Sequence, residues 1–207
     1  MVGTLSFEDI EDIRCFTPGT MIATPKGEVE VEKLSVGSKV ITHDHGVQTI
    51  RWIGRRELDS QDMEANEEFR AIRIKAGALG NGLPVQDLVV SPQHRVLLEG
   101  DLNELYFGER DVLVAAKHLI GMEGVERVGA EPMTYIHLMF DAHEIVLSNG
   151  SWSESFQPSD ALLTAEEQDV RDELLTLFPE LGTIEGLSNY TAARRSLKAF
   201  EAKALLA

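Results

Sequence analysis

The chain holds a single cysteine, Cys15, in the stretch Cys15-Phe16-Thr17-Pro18-Gly19-Thr20-Met21-Ile22-Ala23-Thr24-Pro25-Lys26-Gly27. A lone thiol cannot close an intramolecular disulfide, so its use lies in packing or in reactivity. Two features point to reactivity. The thiol is followed by a turn-forming Thr-Pro-Gly-Thr segment rather than a long apolar run, and Ser91-Pro92-Gln93-His94 offers an imidazole that can serve as its base. The competing reading makes Cys15 a small buried hydrophobe at the start of a strand.

Short strands have to carry these groups. Met21-Ile22-Ala23, Glu28 to Val31, Lys39 to Thr42 and Gln48 to Ile53 are β-rich runs, separated by Pro25-Lys26-Gly27, Val36-Gly37-Ser38 and Asp44-His45-Gly46. Strands so closely spaced leave no room for βαβ crossovers and predict an all-β unit. Arg55 to Arg70 is acid-rich and reads as a surface loop or short helix, and Ala71 to Lys75 alternates as a strand does. Asp87 to Val90 is a strand ending at the Ser91-Pro92 turn, with a second strand from His94. Tyr106-Phe107 to Leu119 reads as a strand and a helical turn. Tyr135 to Gly150 reads as two strands around Asp141-Ala142-His143, closed by Asn149-Gly150. His43-Asp44-His45 sits at a hairpin tip and reads as turn residues, not a metal site, which needs three or four converging ligands. Beyond Pro158, Ala161 to Phe178 and Thr191 to Leu206 have helical spacing.

The composition, 43% hydrophobic and 26% charged over 207 residues, is that of a soluble globular protein with an ample core. A net charge of −16 argues against nucleic acid and anionic membrane as partners. Met1 to Arg14 carries four acids and no apolar core, so it is expected to be a leader and not a signal peptide. No run approaches the length of a membrane span. These features leave the compartment open: cytoplasmic, or exported by a signal-independent route.

The stretch from Cys15 to Gly27, continued by Val31-Glu32-Lys33-Leu34-Ser35-Val36-Gly37-Ser38-Lys39-Val40, resembles the opening block of Hint domains, the module shared by inteins and the Hedgehog autoprocessing domain. It is most similar to bacterial Hint-type proteins that are not inteins. The second block of that family has a Thr-x-x-His step; here it stands as Ser91-x-x-His94. The late block has a tyrosine-led strand, a turn histidine and a terminal Asn-Gly, which Tyr135, His143 and Asn149-Gly150 match. The acid that inteins often carry directly after the tyrosine is replaced by Ile136, with His137 beside it. The resemblance covers Arg14 to Pro158. It implies a mostly β chain: a short leader (1–14), a Hint-like all-β domain (15–158) and a C-terminal α-helical appendage (159–207).

It also implies self-processing at the Arg14-Cys15 bond, with Cys15, Ser91, His94 and His143 as site residues. The Cys15 sulfur attacks the Arg14 carbonyl and makes a thioester. His94, with an ordinary histidine pKa near 6.5, protonates the departing amide, and Ser91 orients that amide or contributes to the oxyanion site. His143 deprotonates Cys15 or activates the resolving nucleophile. The substrate is the chain's own N-terminal segment, the acceptor water or a small external nucleophile, and no cofactor or metal is required. Asn149 is followed by Gly150 and no second cysteine exists, so N-terminal cleavage is expected rather than splicing. The charged tail does not resemble the lipid-binding extension that sterol transfer needs. Two other readings stand beside this one: an idle Hint-like recognition or assembly module docking through its tail, and a cysteine hydrolase acting in trans, whose site the leader would occupy.

Overall fold

The computed structural model describes residues 14–157, 175–176, 178–183 and 190–206. The leader expected over 1–14, up to Ile13, and most of the helix expected over 161–178 lie outside the described residues.

The β-rich runs form hairpins in sequence. β1 (Met21–Thr24) pairs with β2 (Gly27–Glu30), and β3 (Lys39–Thr42) with β4 (Gly46–Thr49). β5 (Trp52–Leu58) leads into α1 (Ser60–Ala65), whose start is fixed by a reciprocal cap: Asp59 accepts from the Gln61 and Asp62 amides, and Asp62 accepts from the Asp59 amide. The acid-rich excursion is therefore the end of a strand followed by a capped helix. Next come β6 (Ile72–Ile74), β7 (Leu88–Val90), β8 (Arg95–Glu99), α2 (Asp101–Phe107), β9 (Asp111–Ala115) and β10 (Val125–Arg127). β11 (Met133–Met139), β12 (Ile145–Ser148), β13 (Ser151–Glu154) and α3 (Ala199–Leu205) follow.

The largest sheet runs β2-β1-β12-β13-β8-β9, with β3 on β12 and β4 on β3. A second sheet runs β10-β6-β7, and β11 pairs antiparallel with β5 over all seven of its residues. Tyr135, Ile136, Leu138 and Met139 of β11 are all buried, so this strand is covered on both faces and lacks the alternation of a half-exposed one. At the β12–β13 hairpin, Asn149 and Gly150 take φ of 47° and 79°, the geometry that makes Asn-Gly the favoured two-residue turn. The Asn149 side chain is fully engaged there: its oxygen accepts from the Met21 amide, and its nitrogen donates to the Asp87 carbonyl.

The C-terminal residues depart from expectation in two ways. The helix expected from Thr191 is confined to Ala199–Leu205, because Arg195 and Leu197 exchange backbone hydrogen bonds with Leu113 and extend the chain beside β9. The described tail also does not hang free. Leu197 and Ala202 enter the main core, and Phe178, Leu181 and Tyr190 pack with Trp52, Met139 and Phe156.

Gly54 in β5 faces His137 of β11 in register. The Trp52 ring folds back over it so closely that an added Cβ would lie 2.2 Å from a ring carbon. Trp52 is itself held in that buried aromatic cluster, so it has little room to yield. Gly54→Ala is expected to destabilise the fold by about 1–3 kcal/mol, read as a lower urea midpoint at unchanged m-value. A loss below about 0.5 kcal/mol, the level of an ordinary surface change, would show that Trp52 moves aside freely.

Candidate functional site

Strand register builds the site. Phe16 exchanges both backbone hydrogen bonds with Ile136, at 2.9 Å each, and bridges Val90 on its other side. One residue back along these antiparallel pairings, Cys15 therefore stands opposite His137 of β11 and opposite Ser91 at the end of β7. The residue pair next to one that exchanges both bonds is the close pair of an antiparallel ladder, with Cα atoms about 4.5 Å apart. The side chains meet accordingly: Cys15 Sγ lies 3.1 Å from His137 Nε2 and 3.4 Å from Nδ1.

Both sides of the Arg14-Cys15 bond are held. On the amine side, the Cys15 N–H donates to Ser91 Oγ at 2.8 Å, while the Ser91 N–H donates to the Cys15 carbonyl at 3.0 Å. On the acyl side, the His137 ring hydrogen-bonds the Arg14 carbonyl. A neutral imidazole offers one N–H and one lone pair; the N–H suits the carbonyl, while the sulfur, almost equidistant from the two nitrogens, lies against the face of the ring. Burial between Trp52 and Phe156 lowers the pKa of His137 to about 4, the Arg14 bond opposing only part of the shift, so the ring is neutral at physiological pH.

His94 follows Ser91 in the expected tight turn, its amide donating to the Ser91 carbonyl. Its ring is fully buried, edge-on to Phe16 at 4.5 Å, and neither ring nitrogen has a hydrogen-bond partner among the described residues. The expectation of an ordinary histidine pKa is corrected here. Desolvation brings His94 down to about 4, against a smaller upward pull from the Glu154 charge.

His143 is placed elsewhere. Its Nδ1 accepts the Ala193 N–H at 3.0 Å, and its Nε2 lies 3.3 Å from Glu154 Oε2, both side chains being fully buried. The imidazole that the structure puts on the Cys15 thiol is thus His137 and not His143. His137 was visible in the sequence as the residue beside the missing acid. Counting strand alternation from the Phe16 and Ile136 pairing is the step that singles it out.

Glu154 carries no sequence signal beyond being a charged residue at the end of a buried strand. Its Oε1 accepts the Arg95 N–H at 2.9 Å and stands 3.5 Å from Arg14 Nε; its Oε2 lies 3.3 Å from both Arg95 Nη1 and His143 Nε2. Burial alone would raise this carboxyl, but His143, Arg95 and Arg14 outweigh it and hold Glu154 below the usual carboxylate range.

Among the described residues, His43, Glu99 and Asp111 bring ligand atoms within 4.8 Å of one another. The negative charge there is already met in part by Arg194, which pairs with Asp44 and lies 3.7 Å from Asp111. The turn histidines are better anchored than expected, His43 on Asp44 and His45 on the buried Glu144. No helix among the described residues is long and apolar enough to cross a membrane.

A family model described as "Hint domain" matches residues 14–160. Comparison with curated proteins gives no match. Among solved structures, the solution structure of a bacterial intein-like domain from Clostridium thermocellum is similar, at 16% identity and a TM-score of 0.49, over 70% of this chain and 100% of that one. A DnaB intein from Synechocystis sp. PCC 6803 is similar at 10% identity and a TM-score of 0.41, over 69% of this chain and 98% of its own.

Proposed function

Because the chain belongs to the Hint domain family, whose fold suggests self-processing, we propose that it cleaves itself at Arg14-Cys15 through an N-to-S acyl shift. The observation that carries this reading is that one pocket holds the thiol, the carbonyl and the amide nitrogen of this one bond, through His137 and Ser91.

The steps follow from the contacts. The His137 ring turns its lone pair to Cys15 Sγ and takes the proton, and the sulfur attacks the Arg14 carbonyl carbon. As negative charge gathers on the carbonyl oxygen, the imidazolium just formed donates to it, which stabilises the oxyanion at no reorganisation cost. The C–N bond then breaks. Its nitrogen gains one proton when the Ser91 hydroxyl 2.8 Å away turns its hydrogen toward it. The His94 ring, in the same turn and unpartnered at rest among the described residues, swings to resupply that hydroxyl; Cys15 is left with a free amine and an Arg14 thioester. The count closes through solvent: His94 takes up the proton that reaches nitrogen, and His137 gives back the one it took from sulfur. At pH 7 a group of pKa about 4 is protonated roughly once in a thousand, so supply from His94 is slow, which suits a reaction that each chain performs once. Water or a small nucleophile resolves the thioester, restoring the thiol and releasing residues 1–14.

Intact mass of the purified chain, incubated with and without hydroxylamine or dithiothreitol, tests this. The wild type is expected to lose the mass of residues 1–14, faster with nucleophile, while Cys15→Ala stays whole. Full mass retained in both chains would overturn the reading and favour an idle recognition module.

A further inference from the structure

Arg14 is the residue whose carbonyl is attacked, yet its side chain is buried, only 3% exposed, and its Nε faces Glu154 Oε1 at 3.5 Å. A guanidinium is costly to take out of water unless a carboxylate compensates it, and an aliphatic side chain would fill the same space at less cost. Glu154 is fully buried and already has two other positive or donating neighbours, Arg95 and His143. It is therefore more than a counter-ion for Arg14, and Arg14 is the one partner of the three that cleavage removes. Resting on the self-cleavage reading above, we infer that Glu154 is a specificity-determining residue that reads the side chain on the acyl side of the cleaved bond and selects arginine there.

The geometry gives this contact a role in the chemistry. His137 holds the Arg14 carbonyl from one direction, and Glu154 anchors the same residue's side chain from another, so the carbonyl is fixed against the Cys15 sulfur. A lysine supplies the charge but not the planar multi-donor head, and meets part of the requirement. A methionine fills space and leaves the carboxylate short of one partner. A glutamate sets two carboxylates against each other. Once residues 1–14 depart, Arg95 and His143 remain on Glu154, so the cleaved domain is not left with a bare buried charge.

The test measures Cys15-dependent, hydroxylamine-captured release for the wild type and for Arg14→Lys, Arg14→Met and Arg14→Glu, each also made with Glu154→Gln. Melting of the same variants in a Cys15→Ala background reports folding separately. The expected order of rates is arginine, lysine, methionine, glutamate, with Arg14→Met slower by about tenfold or more. Glu154→Gln is expected to collapse the arginine-to-methionine ratio towards one, which a purely structural role for Glu154 would leave in place. If Glu154→Gln does not fold, the order of the Arg14 series alone decides. Wild-type release that is indifferent to residue 14 overturns the recognition and leaves self-cleavage standing; no release from the wild type overturns both.

Discussion

Replacing His137 by alanine is expected to slow nucleophile-captured cleavage at Arg14-Cys15 by about 10²- to 10⁴-fold, the range that removal of a positioned acid or base usually costs. The expectation rests on one ring doing two jobs: accepting the proton of the thiol that lies against it and donating to the carbonyl oxygen on which charge develops. An alanine also leaves a hole between Trp52 and Phe156, so a fall in rate could reflect lost packing. His137→Phe separates the two. It keeps an aromatic ring in the slot and removes both nitrogens, and it is expected to be as slow as the alanine while melting closer to the wild type. Cleavage by both variants near the wild-type rate, with His143→Gln the inactive one, would return the role of base to the residue that the family resemblance pointed to.

That contrast marks how far the sequence could be read. Hairpins were legible wherever a turn residue has a backbone preference of its own, as Gly46 does between β3 and β4 and Asn149-Gly150 between β12 and β13. Elements set by distant partners were not. The single run expected from Gln48 to Ile53 divides because Ile50 donates to Ser38 and Arg51 to Met139, so the chain changes partners in the middle. Tyr106-Phe107, aromatic and expected in a strand, closes α2 instead; the buried Asn103 donates to the carbonyls of Leu98 and Arg110 and ties off the helical turn. In the site, Cys15, Ser91 and the tight turn to His94 were readable from local pattern. The meeting of Cys15 with His137 spans 122 residues and follows only from the register of Phe16 between β7 and β11. The Arg14, Arg95, His143 and Glu154 group joins the start, middle and end of the domain, and no local periodicity encodes it.

The two site histidines also make the fold acid-sensitive in a window that can be named in advance. His94 is fully buried and His137 half-buried, and desolvation holds each at about 4, below the 6.5 expected of the unfolded chain. Between those values the unfolded chain binds protons that the folded chain refuses. Their stabilising contribution is therefore complete above 6.5 and is lost as the pH falls through the folded value, on the order of 3 kcal/mol for each imidazole. Exposed His45 acts in the opposite sense, since its contact with Glu144 raises its pKa and favours the folded state as acid is added, but that contact is at the surface and screened. Glu154, held below the usual carboxylate range, adds its own loss only at lower pH. Urea unfolding in a Cys15→Ala background, compared between neutral and mildly acidic pH, is expected to show several kcal/mol of lost stability, with about half of that loss absent in His94→Leu. The leucine keeps an apolar contact for Phe16, and no described group gives up a hydrogen bond to the His94 ring. If His94→Leu loses as much stability as its parent between 6.5 and 4, then the His94 ring is not held neutral by burial, and its place as a slow proton source behind Ser91 fails with it.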